Sequence, residues 1–214
     1  MENNQIYSNE YKFTETWFDH MIPAWEKIFN DYKIPIQSVL EIGCYEGRAT
    51  VWLCENVLNN NNINHHYDVV DTFGGSLDES GMEKTKKLLE QDNFIENNFK
   101  HNINVVAKKY NINFYLYKGK SQTILPSFEP IEKYDFIYID ASHRADDTFV
   151  DAYYAHKMLK KGGIIIFDDY GWGDPKNTHQ VNSPKLGVDV FNWMYNDKYQ
   201  ILLEGYQVGL IKIE

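Results

Sequence analysis

Acidic residues and glycines follow five short apolar runs, where their side chains could bind a ligand. The residues that close these runs are Glu41 with Gly43 and Gly47, Asp71, Gly119 to Ser121, Asp140, and Asp168 with Asp169. In an open α/β sheet the carboxyl ends of the strands border one crevice, so we expect these residues to lie together there. Any one of them could instead end a strand or cap a helix. Taken together, they predict one polar binding site.

The turn after the first run favours a nucleoside-type ligand. Gly43 and Gly47 let the chain leave a strand sharply and let a ligand approach the backbone beside a helix N-terminus. The dinucleotide fingerprint GxGxxG is not met because position 45 is Tyr, which weakens the case for a pyrophosphate-binding oxidoreductase. Asp71, at the end of the second run, suits a bidentate bond to the two hydroxyls of a ribose.

Three carboxylates follow the fourth and fifth runs, and their like charges are expected to lie close together. Asp140, Asp168 and Asp169 would repel one another unless a cation lay among them. A set of oxygen ligands without His or Cys favours Mg²⁺, or Ca²⁺ or Mn²⁺, over Zn²⁺. We therefore expect a divalent metal site. The alternative is that Asp140 caps a helix and that the other carboxylates touch the ligand or face water.

A histidine beside this predicted metal site is the candidate base. His143 follows Asp140 by three residues, and an imidazole can take a proton from a hydroxyl whose acidity a bound cation has raised. His65 and His66 begin a strand and should lie at the far end of the sheet. Trp172 and Asp174, in the loop after the fifth run, could contact an acceptor, and Tyr170 could stack on it or pack.

The runs that carry these residues are strand-like, and helical patterns separate them. The strand candidates are SVLEIG, YDVVDTF, INFYLYKG, YDFIYID and GGIIIFDD, followed near the end of the sequence by YQILLEG and YQVGLIKIE. Strands that are apolar throughout need cover on both faces, which helical crossovers supply. The pattern predicts a doubly wound α/β fold with a mostly parallel sheet and a terminal antiparallel hairpin.

The chain divides into an extension and one domain in this interpretation. Residues 1–36 are predicted as an N-terminal helical extension, with the helix over 11–33 and a kink at Pro23. Residues 37–214 form the ligand-binding domain, with a helical insertion at about 74–110 that could be a lid or an interface. The apolar face of residues 13–29 could also cover a second copy, so a homo-oligomer remains an alternative.

Composition narrows the classes of partner. The 31 acidic and 21 basic residues give a net charge of −10, which disfavours a nucleic-acid partner. No apolar run approaches the ~20 residues that cross a bilayer, and the first residues do not read as a secretion signal, so we expect a cytoplasmic protein without a membrane partner. Cys44 and Cys54 are expected to be buried thiols.

In its motifs the sequence resembles the class I S-adenosylmethionine-dependent methyltransferases. Their first motif has an acidic residue and a glycine-rich turn like Glu41-Ile-Gly43-Cys-Tyr-Glu-Gly47, and YDVVDTF and KGGIIIFDDY resemble their second and fifth strands. The segments VDTFGG, YKGKSQTILP, YDFIYIDASH and LKKGGIIIFDDY are similar to the branch of macrocin-type sugar O-methyltransferases and cephalosporin-hydroxylase-like proteins. The resemblance implies a Rossmann-like seven-stranded sheet and S-adenosylmethionine as cosubstrate.

The resemblance also implies roles for individual residues. Residues that would bind the cosubstrate are Glu41, Gly43, Cys44, Tyr45, Glu46 and Gly47 around methionine, Asp71 at the ribose, Thr72 and Phe73 at ribose and adenine, Ser121 and Gln122 at the adenine edge, and Asp140. Phe73 is equally plausible as ordinary core, and Lys120 is better read as a solvated turn residue. In metal-dependent relatives, residues at the positions of Asp140, Asp168 and Asp169 bind the metal, and a Lys or His at the position of His143 is the base.

The predicted function is that of a methyltransferase that acts on an oxygen of a small acceptor with the help of Mg²⁺. A single ion can chelate two adjacent oxygens, which points to a vicinal diol such as a sugar or glycoside, or a catechol. Two alternatives stay open: an NAD-dependent oxidoreductase on a related sheet, and a non-catalytic protein of the same fold that binds S-adenosylmethionine.

Overall fold

A seven-stranded sheet is the centre of the computed structural model, which describes residues 7–75, 93–172 and 181–214. The strands are β1 Ser38–Ile42, β2 His65–Asp71, β3 Ile112–Lys118, β4 Tyr134–Ile139, β5 Leu159–Phe167, β6 Tyr199–Glu204 and β7 Val208–Lys212. Their order is β3-β2-β1-β4-β5-β7-β6; the first five are parallel, and β7 is antiparallel to both β5 and β6. The predicted doubly wound sheet with a terminal antiparallel hairpin is confirmed.

Helices cover both faces of this sheet. The α-helices of the described residues are α1 Ile22–Asp31, α2 Arg48–Asn56, α3 Phe94–Lys109, α4 Ser121–Ile124, α5 Ala145–Met158 and α6 Pro184–Tyr195. Val39 of β1 lies in a core with Trp25 of α1, whereas its neighbour Leu40 lies in a second core with Phe191 of α6. Successive strand residues point to opposite faces, so an apolar run such as SVLEI is buried on both.

The exit from β1 requires glycine. Gly43 has φ +83°, and a Cβ there would lie 1.9 Å from the backbone oxygen of Asp140. Gly47, the residue before α2, has φ +79°, and a Cβ there would lie 2.8 Å from the ring of Phe99 in α3. These two glycines let the turn between β1 and α2 pass directly against the end of β4 and against α3.

Some element boundaries differ from the predicted ones. The predicted helix over 11–33 begins as a 3₁₀ helix at Trp17–Met21 and continues as α1. Pro23 lies in the first turn of α1, where its missing N–H removes no helical hydrogen bond. Strand β5 begins at Leu159, before the predicted glycines, because Leu159 pairs with Tyr134 of β4.

The predicted insertion is described only in part. Helix α3 lies within it, and residues 76–92 are outside the described residues. The division of the chain at residue 36 remains a prediction. Among the helices that are described, none has the length and apolar character needed to cross a bilayer.

Candidate active site

The carboxyl ends of the parallel strands form one continuous edge. The Gly43 N–H donates to the Val70 carbonyl at 2.8 Å, and the Asp140 N–H donates to the Ile42 carbonyl at 2.8 Å. On the far side of β4, the Asp168 N–H donates to the Ile139 carbonyl at 2.9 Å. The backbone therefore ties the ends of β2, β1, β4 and β5 together, and the predicted site residues from these four strands share the same edge.

Backbone strain is concentrated at this edge. Tyr45, Phe73 and Asp169 adopt left-handed conformations with φ of 51°, 53° and 54°, and they follow β1, β2 and β5. A non-glycine residue in this region costs about 1–3 kcal/mol and persists only where its surroundings hold it. Such residues are found most often at active sites and ligand clamps, so this edge is the strongest candidate for the functional site.

Asp71 holds the glycine-rich turn, which comprises residues 43–47. Its Oδ2 accepts hydrogen bonds from the Cys44 N–H at 2.6 Å and the Tyr45 N–H at 3.1 Å, and its Oδ1 accepts from the Phe73 N–H at 2.6 Å. Each carboxylate oxygen can accept more than one hydrogen bond, so Asp71 retains acceptor capacity. The carboxylate proposed for the ribose thus also shapes the turn proposed for the methionine.

Glu41 lies beneath this turn and is 1% exposed. Its Oε2 accepts hydrogen bonds from Thr50 Oγ1 and the Tyr67 hydroxyl, each at 2.7 Å, whereas Oε1 has no partner among the described residues. Burial is the main cause that raises the pKa of Glu41 to about 7, and the two hydrogen bonds oppose it. A buried carboxylate oxygen without a partner suits a cationic donor from a ligand.

Glu46 ties the turn to two other parts of the chain. It is 1% exposed. Its Oε2 accepts from the Thr14 N–H at 2.6 Å and Thr14 Oγ1 at 2.9 Å, and its Oε1 accepts from Asn98 Nδ2 of α3 at 2.8 Å. Asn102 of α3 donates to the Glu46 carbonyl at 2.8 Å. These contacts show Glu46 anchoring the turn between the N-terminal segment and α3, and its part in cosubstrate binding remains a proposal.

The residues proposed for the adenine follow β2 and β3. Ser121 is buried at the start of α4, and Gln122 donates to Asp151 Oδ1 of α5 at 3.5 Å. Thr72 is exposed and accepts from the Gly74 N–H at 3.1 Å. Phe73 is 9% exposed and packs on Phe99, with ring centroids 5.5 Å apart. The structure therefore gives Phe73 core contacts whatever its role toward a ligand.

Two carboxylates of the acid cluster, which comprises Asp140, Asp168 and Asp169, meet at one tyrosine. The buried Tyr138 hydroxyl donates to Asp140 Oδ2 at 3.2 Å and also donates to Asp168 Oδ2. Burial first, and then the neighbouring carboxylates, raise the pKa of Asp140 well above its usual range and that of Asp168 to about 6. The surroundings of the cluster therefore disfavour the ionised forms of Asp140 and Asp168.

The third carboxylate faces the candidate base. Asp169 Oδ2 lies 2.8 Å from His143 Nε2, and the Tyr206 hydroxyl donates to Asp169 Oδ1 at 2.6 Å. The Trp172 ring lies over His143, with centroids 4.3 Å apart. Burial and the Asp169 hydrogen bond raise the pKa of Tyr206, so its phenol remains a donor. The arrangement is an Asp–His pair of the kind that orients a general base.

The acid cluster fits a hard cation through two of its members. Within the part of the chain that is described, no group of three or more His, Cys, Asp or Glu side chains is arranged to hold a metal ion. Asp140 and Asp168 converge on the Tyr138 hydroxyl, and Asp168 Oδ1 also accepts from the Asp169 N–H at 2.7 Å; the side chain of Asp169 faces His143 and Tyr206 instead. Mg²⁺ commonly binds through one or two carboxylates together with water and substrate oxygens, which two converging carboxylates can satisfy.

Sequence reasoning missed the tyrosines of this site. Tyr138 stands two residues before Asp140 in YDFIYID and so shares its face of β4, which is a signal that could have been used. Tyr206 lies in the turn of the β6–β7 hairpin, and nothing local connects it to Asp169. Of the residues proposed for the acceptor, Asp174 is outside the described residues; the Tyr170 hydroxyl donates to Asp189 Oδ1 at 2.9 Å.

Comparison with known proteins identifies the family of this chain. A family model described as a methyltransferase domain matches residues 40–170, which span β1 to β5 and most of the candidate site residues. The chain therefore belongs to this family of methyltransferase domains. The predicted class, S-adenosylmethionine-dependent methyltransferase, is confirmed, and the NAD-dependent alternative is set aside. Among proteins of curated function, none matches the sequence significantly.

Several solved structures share the fold. The O-methyltransferase NovP is 15% identical, with 92% of this chain and 80% of that chain covered and a TM-score of 0.63. An O-methyltransferase from Bacillus cereus in complex with S-adenosylhomocysteine is 16% identical, covers 94% and 83%, and has a TM-score of 0.54. CalS11, a TDP-rhamnose 3′-O-methyltransferase of calicheamicin biosynthesis, is 15% identical, covers 92% and 80%, and has a TM-score of 0.52.

Proposed function

We propose that this chain transfers a methyl group from S-adenosylmethionine to a hydroxyl oxygen of a small acceptor, with a sugar or another vicinal diol as the acceptor class. The observation that carries the proposal is the His143–Asp169 pair, 2.8 Å apart, on the sheet edge that also holds the glycine-rich turn and Asp71. The structural neighbours NovP and CalS11 are O-methyltransferases, which supports oxygen as the methylated atom.

The cosubstrate would lie along the β1 and β2 ends. Asp71 would accept from the ribose hydroxyls, and the residues of the glycine-rich turn would surround the methionine part. The unpartnered Oε1 of Glu41 fits a cosubstrate that carries positive charge, as S-adenosylmethionine does on its amino group and its sulfur. Ser121 and Gln122 would reach the adenine, at the start of a helix that Asp151 holds through Gln122.

His143 would act as the base for the acceptor hydroxyl. The oxygen attacks the methyl carbon, the carbon–sulfur bond breaks with its electron pair going to sulfur, and His143 takes the hydroxyl proton. Because Nε2 is engaged by Asp169, Nδ1 is the atom that would receive the proton. The displacement is in line, so the main task of the protein is to align oxygen, methyl carbon and sulfur.

We also propose that Mg²⁺ assists the methyl transfer. Asp140 and Asp168 would hold the ion, and we assign Asp169 to the base because its Oδ2 lies 2.8 Å from His143 Nε2. A bound divalent ion would fix two adjacent acceptor oxygens and lower the pKa of the hydroxyl that reacts. A readout that does not depend on turnover is thermal unfolding: 5 mM MgCl₂ or MnCl₂ should raise the midpoint of the wild type and leave an Asp168→Asn variant unchanged.

The test of the proposed function combines binding with turnover. Calorimetry should detect S-adenosylmethionine binding, and mass spectrometry should detect methylated product from a panel of sugars, glycosides and catechols. His143→Ala should lower turnover at least about 100-fold and leave the dissociation constant of the cosubstrate within about twofold. His101→Ala, at a half-buried histidine of α3 that contacts the Glu10 carbonyl, is the matched control and should not change turnover.

Two outcomes would contradict the proposal in different ways. Absence of binding heat at any Mg²⁺ concentration would end the assignment of the cosubstrate. Binding without product across the whole panel would favour the alternative of a non-catalytic S-adenosylmethionine-binding protein.

A further inference from the structure

The terminal hairpin reaches back to the candidate base through one residue. Tyr206 lies in the turn between β6 and β7, and two of its atoms contact the segment that follows β5. Its hydroxyl donates to Asp169 Oδ1 at 2.6 Å, and its carbonyl accepts from the Gly171 N–H at 2.9 Å. A Cβ at Gly171 would lie 3.1 Å from the Tyr206 Cα, so the two backbones are in close contact.

The segment that Tyr206 contacts is a strained turn that carries both neighbours of His143. The Trp172 N–H donates to the Asp169 carbonyl at 2.9 Å, which closes a turn over residues 169–172. At one end Asp169, with φ 54°, places its Oδ2 2.8 Å from His143 Nε2. At the other end the Trp172 ring contacts the same imidazole at a tilt of 34°. A left-handed non-glycine residue needs outside support, and Tyr206 supplies it through backbone and side chain.

The two oxygens of Asp169 are held by different partners. Oδ2 faces His143, and Oδ1 accepts from Tyr206. Rotation of a carboxylate held at both oxygens breaks both contacts, so the hydroxyl of Tyr206 fixes the orientation of the carboxylate plane relative to the imidazole. On its outer side the Tyr206 ring meets His20 of the 3₁₀ helix edge to face, with centroids 4.9 Å apart, which limits movement of the phenol.

We propose that Tyr206 is a positioning residue for the base: by holding Asp169 Oδ1 it fixes Asp169 on His143 and so keeps His143 in a single tautomer, with the proton on Nε2. The terminal antiparallel hairpin thereby takes part in the reaction although it contributes no reacting group. This inference rests on the proposed function for its catalytic meaning, because it assigns His143 as the base.

A second tyrosine of the same hairpin provides a matched control. Tyr199 of β6 contacts another histidine, with its hydroxyl 2.9 Å from His156 Nδ1 of α5. Tyr199→Phe and Tyr206→Phe thus remove the same atom from the same hairpin, each beside a different histidine. Both variants keep the aromatic ring and should fold.

Proton–nitrogen NMR of the histidine rings at pH 8 tests the proposal on the whole chain without any acceptor. In the wild type, His143 should show the Nε2–H tautomer alone. Tyr206→Phe should give a mixture of both His143 tautomers and leave the His156 signals unchanged, whereas Tyr199→Phe should change His156 and leave His143 unchanged. Asp169→Asn should also abolish the single His143 tautomer, and adding Tyr206→Phe to it should cause no further change.

An unchanged His143 spectrum in Tyr206→Phe would overturn the proposal, as would an equal change at His143 in Tyr199→Phe, which would indicate a general effect of the hairpin. Failure of the proposed function gives a different result. If S-adenosylmethionine does not bind or His143→Ala retains full turnover, the NMR signature still reports whether Tyr206 positions His143.

Discussion

The glycine-rich turn and the acid cluster lie on the same sheet edge, but their carboxylates differ in hydrogen-bond partners and in pKa. At the turn, Glu46 accepts from Thr14 and Asn98, and Asp71 accepts from three backbone N–H groups. In the acid cluster, Asp140 and Asp168 both accept from the Tyr138 hydroxyl, and Asp168 Oδ1 also accepts from the Asp169 N–H at 2.7 Å. Burial first, and then the neighbouring carboxylates, raise the pKa values of Asp140 and Asp168.

The carboxylates of the glycine-rich turn are satisfied by hydrogen bonds within the protein, whereas burial and neighbouring carboxylates disfavour ionisation in the acid cluster. Carboxylates that accept several hydrogen bonds stabilise the fold before any ligand arrives. Buried like charges lower stability and are retained where a cation, a proton or a substrate later interacts with them. We therefore expect substitutions at the turn to reduce stability and cosubstrate affinity together, and substitutions in the acid cluster to reduce turnover without loss of stability.

The largest effect should come from Gly43, where the two regions touch. Gly43→Ala places a Cβ 1.9 Å from the Asp140 oxygen at φ +83° and should lower the free energy of unfolding by about 4 kcal/mol, measured by urea unfolding. Gly162→Ala is the control: φ is +80° but no atom lies within 4 Å, so the loss should be about 1 kcal/mol. Equal losses would show that backbone strain, not contact with Asp140, is what matters.

Glu46→Ala should have the next largest effect, because it leaves the Thr14 N–H and the Asn98 amide without their acceptor. We expect a loss of about 3 kcal/mol in unfolding free energy and weaker S-adenosylmethionine binding by calorimetry. Glu10→Ala, at an exposed residue of the same segment, should change stability by less than about 0.5 kcal/mol. A stable Glu46→Ala variant would remove the contrast between the two regions.

Glu41 of the turn region has a carboxylate oxygen without a partner among the described residues, and the pH dependence of stability should reveal it. Its pKa of about 7 lies above the ordinary 4.5, so the native state keeps a proton that the unfolded chain has lost, and stability falls as pH rises from about 4.5 to 7. Glu41→Gln does not titrate, so its stability relative to wild type should rise by about 2 kcal/mol between pH 5 and pH 8. The same difference in unfolding free energy between Glu41→Gln and wild type at pH 5 and pH 8 would contradict this prediction.

Asp168→Asn should have the smallest effect and the opposite sign. Asp168 is buried beside the like charge of Asp169, so Asp168→Asn should raise the unfolding free energy by about 1 kcal/mol at pH 7 in EDTA, while turnover falls. Asp135 offers the matched comparison because its Oδ2 accepts from the Gln37 and Ser38 N–H groups, each at 2.9 Å, so Asp135→Asn should destabilise. A loss of stability in both variants would place Asp168 among the structural carboxylates.

Much of this site could be predicted because its determinants are local. Apolar runs ending in Asp or Gly predict buried parallel strands, and parallel strands bring their carboxyl ends to one edge, so Gly43, Asp71, Asp140 and Asp168 could be placed there without coordinates. The partners of these residues could not. Glu46 meets Thr14 across 32 residues, and Asp169 meets Tyr206 across 37, with no periodic pattern linking either pair.

The features that could be predicted differ from those that could not in the range of the interactions that determine them. Strand, turn and helix depend on residues a few positions apart, so the sequence alone determined the element order, the doubly wound sheet and which residues stand at its edge. Whether a carboxylate at that edge is satisfied, shared or paired with a histidine depends on side chains that only tertiary packing brings within about 3 Å. The tertiary structure therefore decided that Asp169 faces His143 and that Tyr206 holds it there.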